Sequence, residues 1–225
     1  MLLAIDTATR LMSLALHDGH RLLAEETWHT PNNHTAELAP AVQTLMARCD
    51  VTLDELTALA VSIGPGSFTG VRIGVALAKG IASVRKLPLV GVSTVDTLAA
   101  AQPPYPRHAL VTVIEAGRGR IIAATYRWGK GEWVHRGEPR LMDWETLLAN
   151  IDGPAYVAGD IDDEGREALE NAEARDLPVR VTPSALCLRR AGFLAEVALA
   201  RLNTGEENFD PALIAPIYVK TRDVP

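Results

Sequence analysis

Cysteine is scarce. Cys49 and Cys187 stand far apart with no Cys-x-x-Cys neighbour, which removes a disulfide framework and a structural zinc cluster from consideration and leaves two buried thiols. An excess of cations is missing as well. With a formal net charge of -6 and a pI near 5.5, the chain lacks the broad basic surface on which sequence-independent nucleic-acid affinity depends, so any work on nucleic acid needs cations from another chain. No apolar run approaches the ~20 residues of a membrane span. The start, Met1-Leu-Leu-Ala-Ile-Asp6, has no basic segment ahead of its apolar residues, so neither a signal peptide nor a membrane is expected and the cytoplasm is the expected location. There is also no His-Glu-x-x-His and no His-x-x-x-His. His17 and His20 flank an Asp18-Gly19 turn, and His29 and His34 are five apart across Pro31, positions of solvated turns and helix starts rather than of metal ligands.

What remains is ordinary globular composition, 48 % hydrophobic and 22 % charged over 225 residues, enough for two small domains that each bury a core. Strands are expected at Leu2 to Thr7, Leu11 to His17 and His20 to Glu26, the last two joined by a two-residue Asp18-Gly19 hairpin. A helix follows over Thr35 to Arg48 after Asn32-Asn33, with Leu38, Val42, Leu45 and Met46 at helical spacing and Pro40 kinking it or delaying its start. Thr52 and Glu55 have capping-box spacing for a short helix. A buried strand at Leu59 to Ile63, a helix from Phe68 to Val84, a strand at Leu87 to Val92 and a helix from Ser93 to Ala101 complete a first half. Gln102-Pro-Pro-Tyr-Pro106 reads as a linker. The order then begins again: strands at Ala109 to Glu115, Arg120 to Arg127 and Glu132 to Arg136, a helix over Trp144 to Asn150, a strand at Ala155 to Ala158, a helix over Asp163 to Ala174, a strand at Val179 to Val181 and a long helix from Ser184 to Leu202. Two halves of three meandering strands followed by alternating helix and strand make an α/β protein of the two-domain actin-like, sugar-kinase and Hsp70 ATPase (ribonuclease H-like) type. Residues 1–104 would form the first half and 105–225 the second, with the C-terminal helix able to pack back on the first. An extended run, Ile217-Tyr-Val-Lys220, follows, and the sequence does not say which half it joins.

The stretch Ile63-Gly-Pro-Gly-Ser-Phe-Thr-Gly-Val-Arg-Ile-Gly74 sits between a strand and a helix, the setting of a phosphate loop. It matches neither standard one: no lysine stands where a P-loop needs it, and Gly64, Gly66 and Gly70 miss the dinucleotide spacing. A second regularity is stronger. Gly66, Gly70, Gly74, Ala78 and Ala82 recur every four residues, a stripe that lets another backbone approach closely, from this chain or from a second one. Interior glycines cost roughly 1 kcal/mol each against alanine, so the stripe asks for a packing reason. Ser67 and Thr69 at the helix start could hold an anion.

These residues carry a resemblance. "GPGSFTGVRIG", with "IDTAT" at Ile5 to Thr9, "NNHTAELAPAVQTLM" at Asn32 to Met46 and "GVSTVDTLA" at Gly91 to Ala99, is similar to the TsaB (YeaZ) family of the bacterial machinery that makes threonylcarbamoyladenosine on tRNA. The resemblance is close over residues 1 to about 100 and loose thereafter. It implies the actin-like fold and a non-catalytic scaffold that binds its catalytic paralogue, TsaD, through two first-half helices. Here those are Thr35 to Arg48 and Phe68 to Val84, which puts Leu38, Val42, Leu45 and the small-residue stripe in a four-helix interface. It further implies a TsaE ATPase in the complex, tRNA engaged indirectly, a homodimer when the chain is alone, and no cofactor of the chain's own, with ATP or ADP and magnesium at an interface in the complex.

Asp6-Thr-Ala-Thr-Arg10 lies where the actin-like fold places a phosphate loop. Asp6, Thr7 and Thr9 could serve a nucleotide with its magnesium, or satisfy the backbone of a tight turn. At Ile114-Glu-Ala-Gly-Arg-Gly-Arg120, Glu115 stands where the family has aspartate and Gly117 displaces the arginine to Arg118 or Arg120; the plain reading is a glycine-rich hairpin. The acidic Asp160 to Glu167 run is explained by helix capping and the helix dipole. A stand-alone kinase or ATPase of this fold would have only Asp6 and Glu115 as obvious carboxylates, and the metallopeptidase that the paralogue's His-x-x-x-His pair suggests lacks its ligands.

Overall fold

The computed structural model describes residues 1–31, 33–205 and 207–219; Asn32 and the Lys220 end of the expected extended run lie outside them. Two compact units divide the chain. The first comprises Met1–Thr97 with Arg189–Ile217, and the second is built on Leu98–Leu188.

In the first unit, β1 (Leu2–Asp6), β2 (Leu11–His17), β3 (Leu22–His29), β4 (Ala58–Ser62) and β5 (Leu89–Val92) form one sheet in the order β3-β2-β1-β4-β5. The strand β1 runs antiparallel to β2 and parallel to β4. The chain leaves this unit within α3 (Thr94–Ala100). Helices α1 (His34–Arg48) and α2 (Phe68–Arg85) cover one face and α6 (Ala191–Thr204) the other, so β1, β2 and β4 are buried on both faces and read as continuous apolar runs. Alternation sorts residue size between the faces. Leu3, Ile5, Leu14, Leu59 and Val61 fill the side of α1 and α2, while Ala4, Ala15 and Ala60 let Ala191, Ala195 and Ala198 of α6 approach closely.

The second unit repeats the plan. Strands β6 (Ala109–Gly117), β7 (Arg120–Gly129), β8 (Glu132–His135), β10 (Ala155–Gly159) and β11 (Val179–Val181) lie in the order β11-β10-β6-β7-β8, and the short β9 (Arg140–Met142) also pairs with β7. Replacing β6, β7, β8, β10 and β11 by β1 to β5 gives the same order and the same directions, which is the duplicated half of the actin-like fold. Helices α4 (Trp144–Ala149) and α5 (Asp163–Ala174) cover one face, with Val111, Val113, Val157, Trp144 and Leu169 in its core. Asp143 and Asp162 cap these helices by accepting the Thr146 and Gly165 N–H groups, both at 2.8 Å. Asp162 also receives the Trp144 indole N–H at 2.9 Å. Capping and bracing thus account for the start of the acidic run.

Several local expectations change. The Asp18 carboxylate accepts the N–H groups of His20 and Arg21, making a four-residue loop, so β3 starts at Leu22 rather than His20. Pro40 does not delay α1: the Ala36 and Glu37 N–H groups already bond to the Asn33 carbonyl, and Pro40 lies on the exposed side. The Thr52–Glu55 capping box closes only a short 3-10 turn. The expected helix from Ser184 to Leu202 is a 3-10 turn at Ser184–Leu186 followed, after Arg189 and Arg190, by α6. That helix and the Lys79-bound segment before Ile217 belong to the first unit, which is built from two separate lengths of chain, Met1–Thr97 and Arg189–Ile217.

Candidate functional site

The Asp6–Arg10 turn and the 63–67 loop pack together beneath the start of α2. Asp6 is fully buried. Its carboxylate accepts the Ala8 N–H at 2.9 Å and lies 3.6 Å from the equally buried Arg189 guanidinium. Arg189 also donates to Thr9 Oγ1 and, at 3.3 Å, to the Leu11 carbonyl. Thr7 Oγ1 donates to the Gly70 carbonyl at 2.7 Å, and Ser67 accepts the Gly70 N–H as the cap of α2. The Ser67 N–H in turn donates to the Ala8 carbonyl at 2.6 Å, and those of Thr94 and Ile217 bond the Gly64 and Ile63 carbonyls. Asp6, Thr7, Thr9 and Ser67 are therefore engaged by the protein's own backbone and by Arg189, and Thr69 alone of the five nucleotide candidates has an exposed, uncommitted position. Sequence reasoning missed Arg189: two adjacent arginines precede an apolar helix, and nothing in the pattern says which one is buried.

The small-residue stripe faces inward. A Cβ at Gly66 would meet the Ala8 carbonyl, at Gly70 the Thr7 carbonyl and at Gly74 the Thr7 hydroxyl. Ala78 and Ala82 are fully buried, and Leu38, Val42 and Leu45 of α1 join them in the core. These eight residues, expected to form an intermolecular interface, instead let α2 sit down on the β1–β2 turn and its own sheet. The opposite side of the same helix pair is open. On α1 it exposes Ala36, Ala39, Gln43 and Ala47, and on α2 Ala76, Gly80, Ser83 and Val84, the last 83 % exposed. Gly80 has nothing within 4 Å of the place its Cβ would take. Phe68, 54 % exposed at the start of α2, lies under the Arg72 guanidinium, 3.5 Å from its ring centre.

In the second unit the Glu115–Arg120 stretch is a hairpin. Arg118 and Gly119 both have positive φ, of 58° and 69°, the geometry of a tight two-residue turn. The Glu115 N–H donates to Asp160 at 3.2 Å. The histidines are structural where they are buried: His17 contacts Glu196 at 3.1 Å and accepts the Gly19 N–H, and His34 contacts the Thr9 carbonyl at 2.8 Å. Among the described residues no group of three or more His, Cys, Asp or Glu side chains could hold a metal ion, and no helix is long and apolar enough to cross a membrane.

Residues 23–158 match the family model described as TsaD: tRNA N6-adenosine threonylcarbamoyltransferase. The tRNA threonylcarbamoyladenosine biosynthesis protein TsaB of Bacillus subtilis is 34 % identical over 161 residues, 70 % of each chain. That of Haemophilus influenzae is 27 % identical over 225 residues, covering 97 % of this chain and 93 % of its own. YeaZ from Pseudomonas aeruginosa superposes with a TM-score of 0.75 at 26 % identity, over 97 % of this chain and 99 % of that one. With the motifs of the first half, the duplicated fold and these likenesses in agreement, the chain belongs to the TsaB (YeaZ) family of tRNA threonylcarbamoyladenosine biosynthesis proteins.

Proposed function

We propose that this chain is the non-catalytic subunit that binds a TsaD-type paralogue through the outward faces of α1 and α2 and thereby supports threonylcarbamoyl transfer to N6 of adenosine beside the tRNA anticodon. The observation that carries this reading is Gly80. A glycine inside a helix costs roughly 1 kcal/mol against alanine, and the inward glycines of α2 have their reason in the Thr7–Ala8 turn. Gly80 has no such neighbour in its own chain, so its reason lies outside it. With Ala76 and Val84 one turn to either side and the alanines of α1 alongside, it makes a shallow apolar face on which a second helix pair can seat closely. The paralogue shares the fold, so the same face pairs with a second copy when the chain is alone. TsaE joins the assembled complex, and tRNA is held chiefly by the other subunits. Any ATP or ADP with magnesium sits at an interface of that complex, because Asp6 is already committed to Arg189.

The test is to mix the purified chain with its TsaD paralogue and follow complex formation by light scattering after gel filtration, for wild type and Gly80→Leu. Leucine is a better helix former than glycine, so the variant folds at least as well while its side chain holds the partner off. Association by wild type and its loss in Gly80→Leu support the pairing. Equal association by both removes the α1–α2 face from the reading.

A further inference from the structure

The chain has few aromatic residues, 5 % of its length, yet at one end of the second sheet its rings gather on a single face. Tyr105 stacks on Tyr156 with centroids 4.0 Å apart, lies 5.9 Å from Trp133, and Trp133 meets the edge of Trp128 at 5.3 Å. In register Trp128 faces Trp133 across β7 and β8, Leu110 of β6 is the neighbour of both Tyr126 and Tyr156, and Tyr156 is the neighbour of Arg180. Alternation therefore puts all of them on the side away from α4 and α5. No aspartate or glutamate stands at a strand position of that side from β6 to β11; Glu132 falls on the other.

Part of this cluster has a structural duty. The Trp133 indole donates to the Gln102 carbonyl at 3.2 Å and the Tyr105 hydroxyl to the Gln102 side chain at 3.4 Å, which fastens the 102–108 segment. Trp128 and the cations at the rim have no such duty. Lys130 is exposed at the tip between β7 and β8, with φ 54° before Gly131 at 90°, and Arg107 is exposed in the adjacent loop with φ 68°. Turn positions of this left-handed kind favour Asn, Asp or Gly, so the local backbone does not ask for Lys or Arg there. Among the described residues Lys130, Arg107 and Arg180 make no ion pair. In a chain of net charge -6, these three cations stand without an ion pair at the edge of half-buried rings, although Glu132, Asp152 and Asp176 are exposed at the same end of the sheet.

We propose that this rim binds a single-stranded RNA segment, with a base stacked on Trp128 and phosphates on Lys130, Arg107 and Arg180. Unpaired bases are what ring faces can stack, and the cations follow the backbone. An acidic peptide would satisfy the cations and leave the rings idle. The choice of RNA rests on the tRNA-modification reading above, which the α1–α2 face supports separately.

The test titrates the full chain into a fluorescein-labelled single-stranded RNA decamer and follows polarisation at several salt concentrations. Wild type, Trp128→Ala and Lys130→Glu are compared, and light scattering with the TsaD paralogue is run on the same samples. Binding should weaken at least about fivefold in Trp128→Ala. The wild-type log–log salt slope should be about -2, since each single-strand phosphate contact contributes ~0.7, and Lys130→Glu should make it shallower by about that amount per contact. Pairing with the paralogue should not change. RNA binding by a chain that fails to pair supports this site and sinks the pairing. No binding at low salt, equal binding by the variants, or equal competition by polyglutamate or by phosphatidylserine vesicles overturns the RNA site.

Discussion

The same substitution at two positions of α2 should have opposite signs. At Gly80 a methyl group enters open space, so Gly80→Ala recovers the helix-propensity difference, about 1 kcal/mol, and raises Tm by roughly 2–4 °C for a chain of this size. At Gly74 the methyl must displace Thr7 Oγ1, which donates to the Gly70 carbonyl at 2.7 Å in a fully buried site. Overpacking costs about 1–3 kcal/mol, and a buried carbonyl left without its donor costs about 1–3 kcal/mol more. Against the same propensity gain of about 1 kcal/mol, Gly74→Ala should lose a net 1–5 kcal/mol, about 3 in the middle of that range. Urea unfolding followed by circular dichroism reads both. A Gly74→Ala protein as stable as wild type would show that the stripe does not bear on the β1–β2 turn, and a destabilised Gly80→Ala would give Gly80 a backbone role inside its own chain.

Asp6→Asn should cost about 3–5 kcal/mol in urea unfolding, because it strands the Arg189 guanidinium in the interior; adding Arg189→Met should restore part of that loss, and strict additivity would refute the pairing. Gly165→Ala should lose about 1–3 kcal/mol and shift the tryptophan emission, since the new methyl lands in the Trp144 ring; unchanged fluorescence and Tm would contradict the packing. The Trp28 indole N–H, 2.9 Å from Glu37, holds that carboxyl below its ordinary 4.5. The stabilisation is therefore present above pH 4.5 and lost as pH falls through the lowered value. The Tm difference between wild type and Glu37→Ala should close on acidification, and a gap constant with pH would assign it to something other than this charge.

Periodicity and turn chemistry made most of the fold legible. Leu11–His17 and Asp163–Ala174 have their expected bounds, because strict apolar runs and an aspartate cap are local signals. What failed depended on partners distant in sequence. A four-residue repeat says that one side of α2 is small, but not whether a turn about 60 residues away or another protein fills it; Gly80 lies off that repeat, and only its empty surroundings set it apart. The break before α6 was hidden because Arg189 is held by Asp6 and Thr9, some 180 residues earlier, whereas the helical pattern runs through it unbroken. Asp6 and the threonines beside it look like nucleotide ligands by composition, and only their burial against Arg189 and Gly70 assigns them to the turn.

The return of α6 to the first unit bears on the order of events during synthesis. Ala4, Ala60 and Val90 reach their strands early, yet the helix that covers them begins at Ala191. At ~5–20 residues per second the ribosome needs about 5–20 s after β5 to deliver it. During that interval the amino-terminal sheet has one apolar face without its cover, while residues 98–188 form an unbroken stretch that can finish folding first. A released chain that ends at residue 188 should accordingly protect its second sheet from protease and offer its first to chaperones, so that this protein matures from the middle outward.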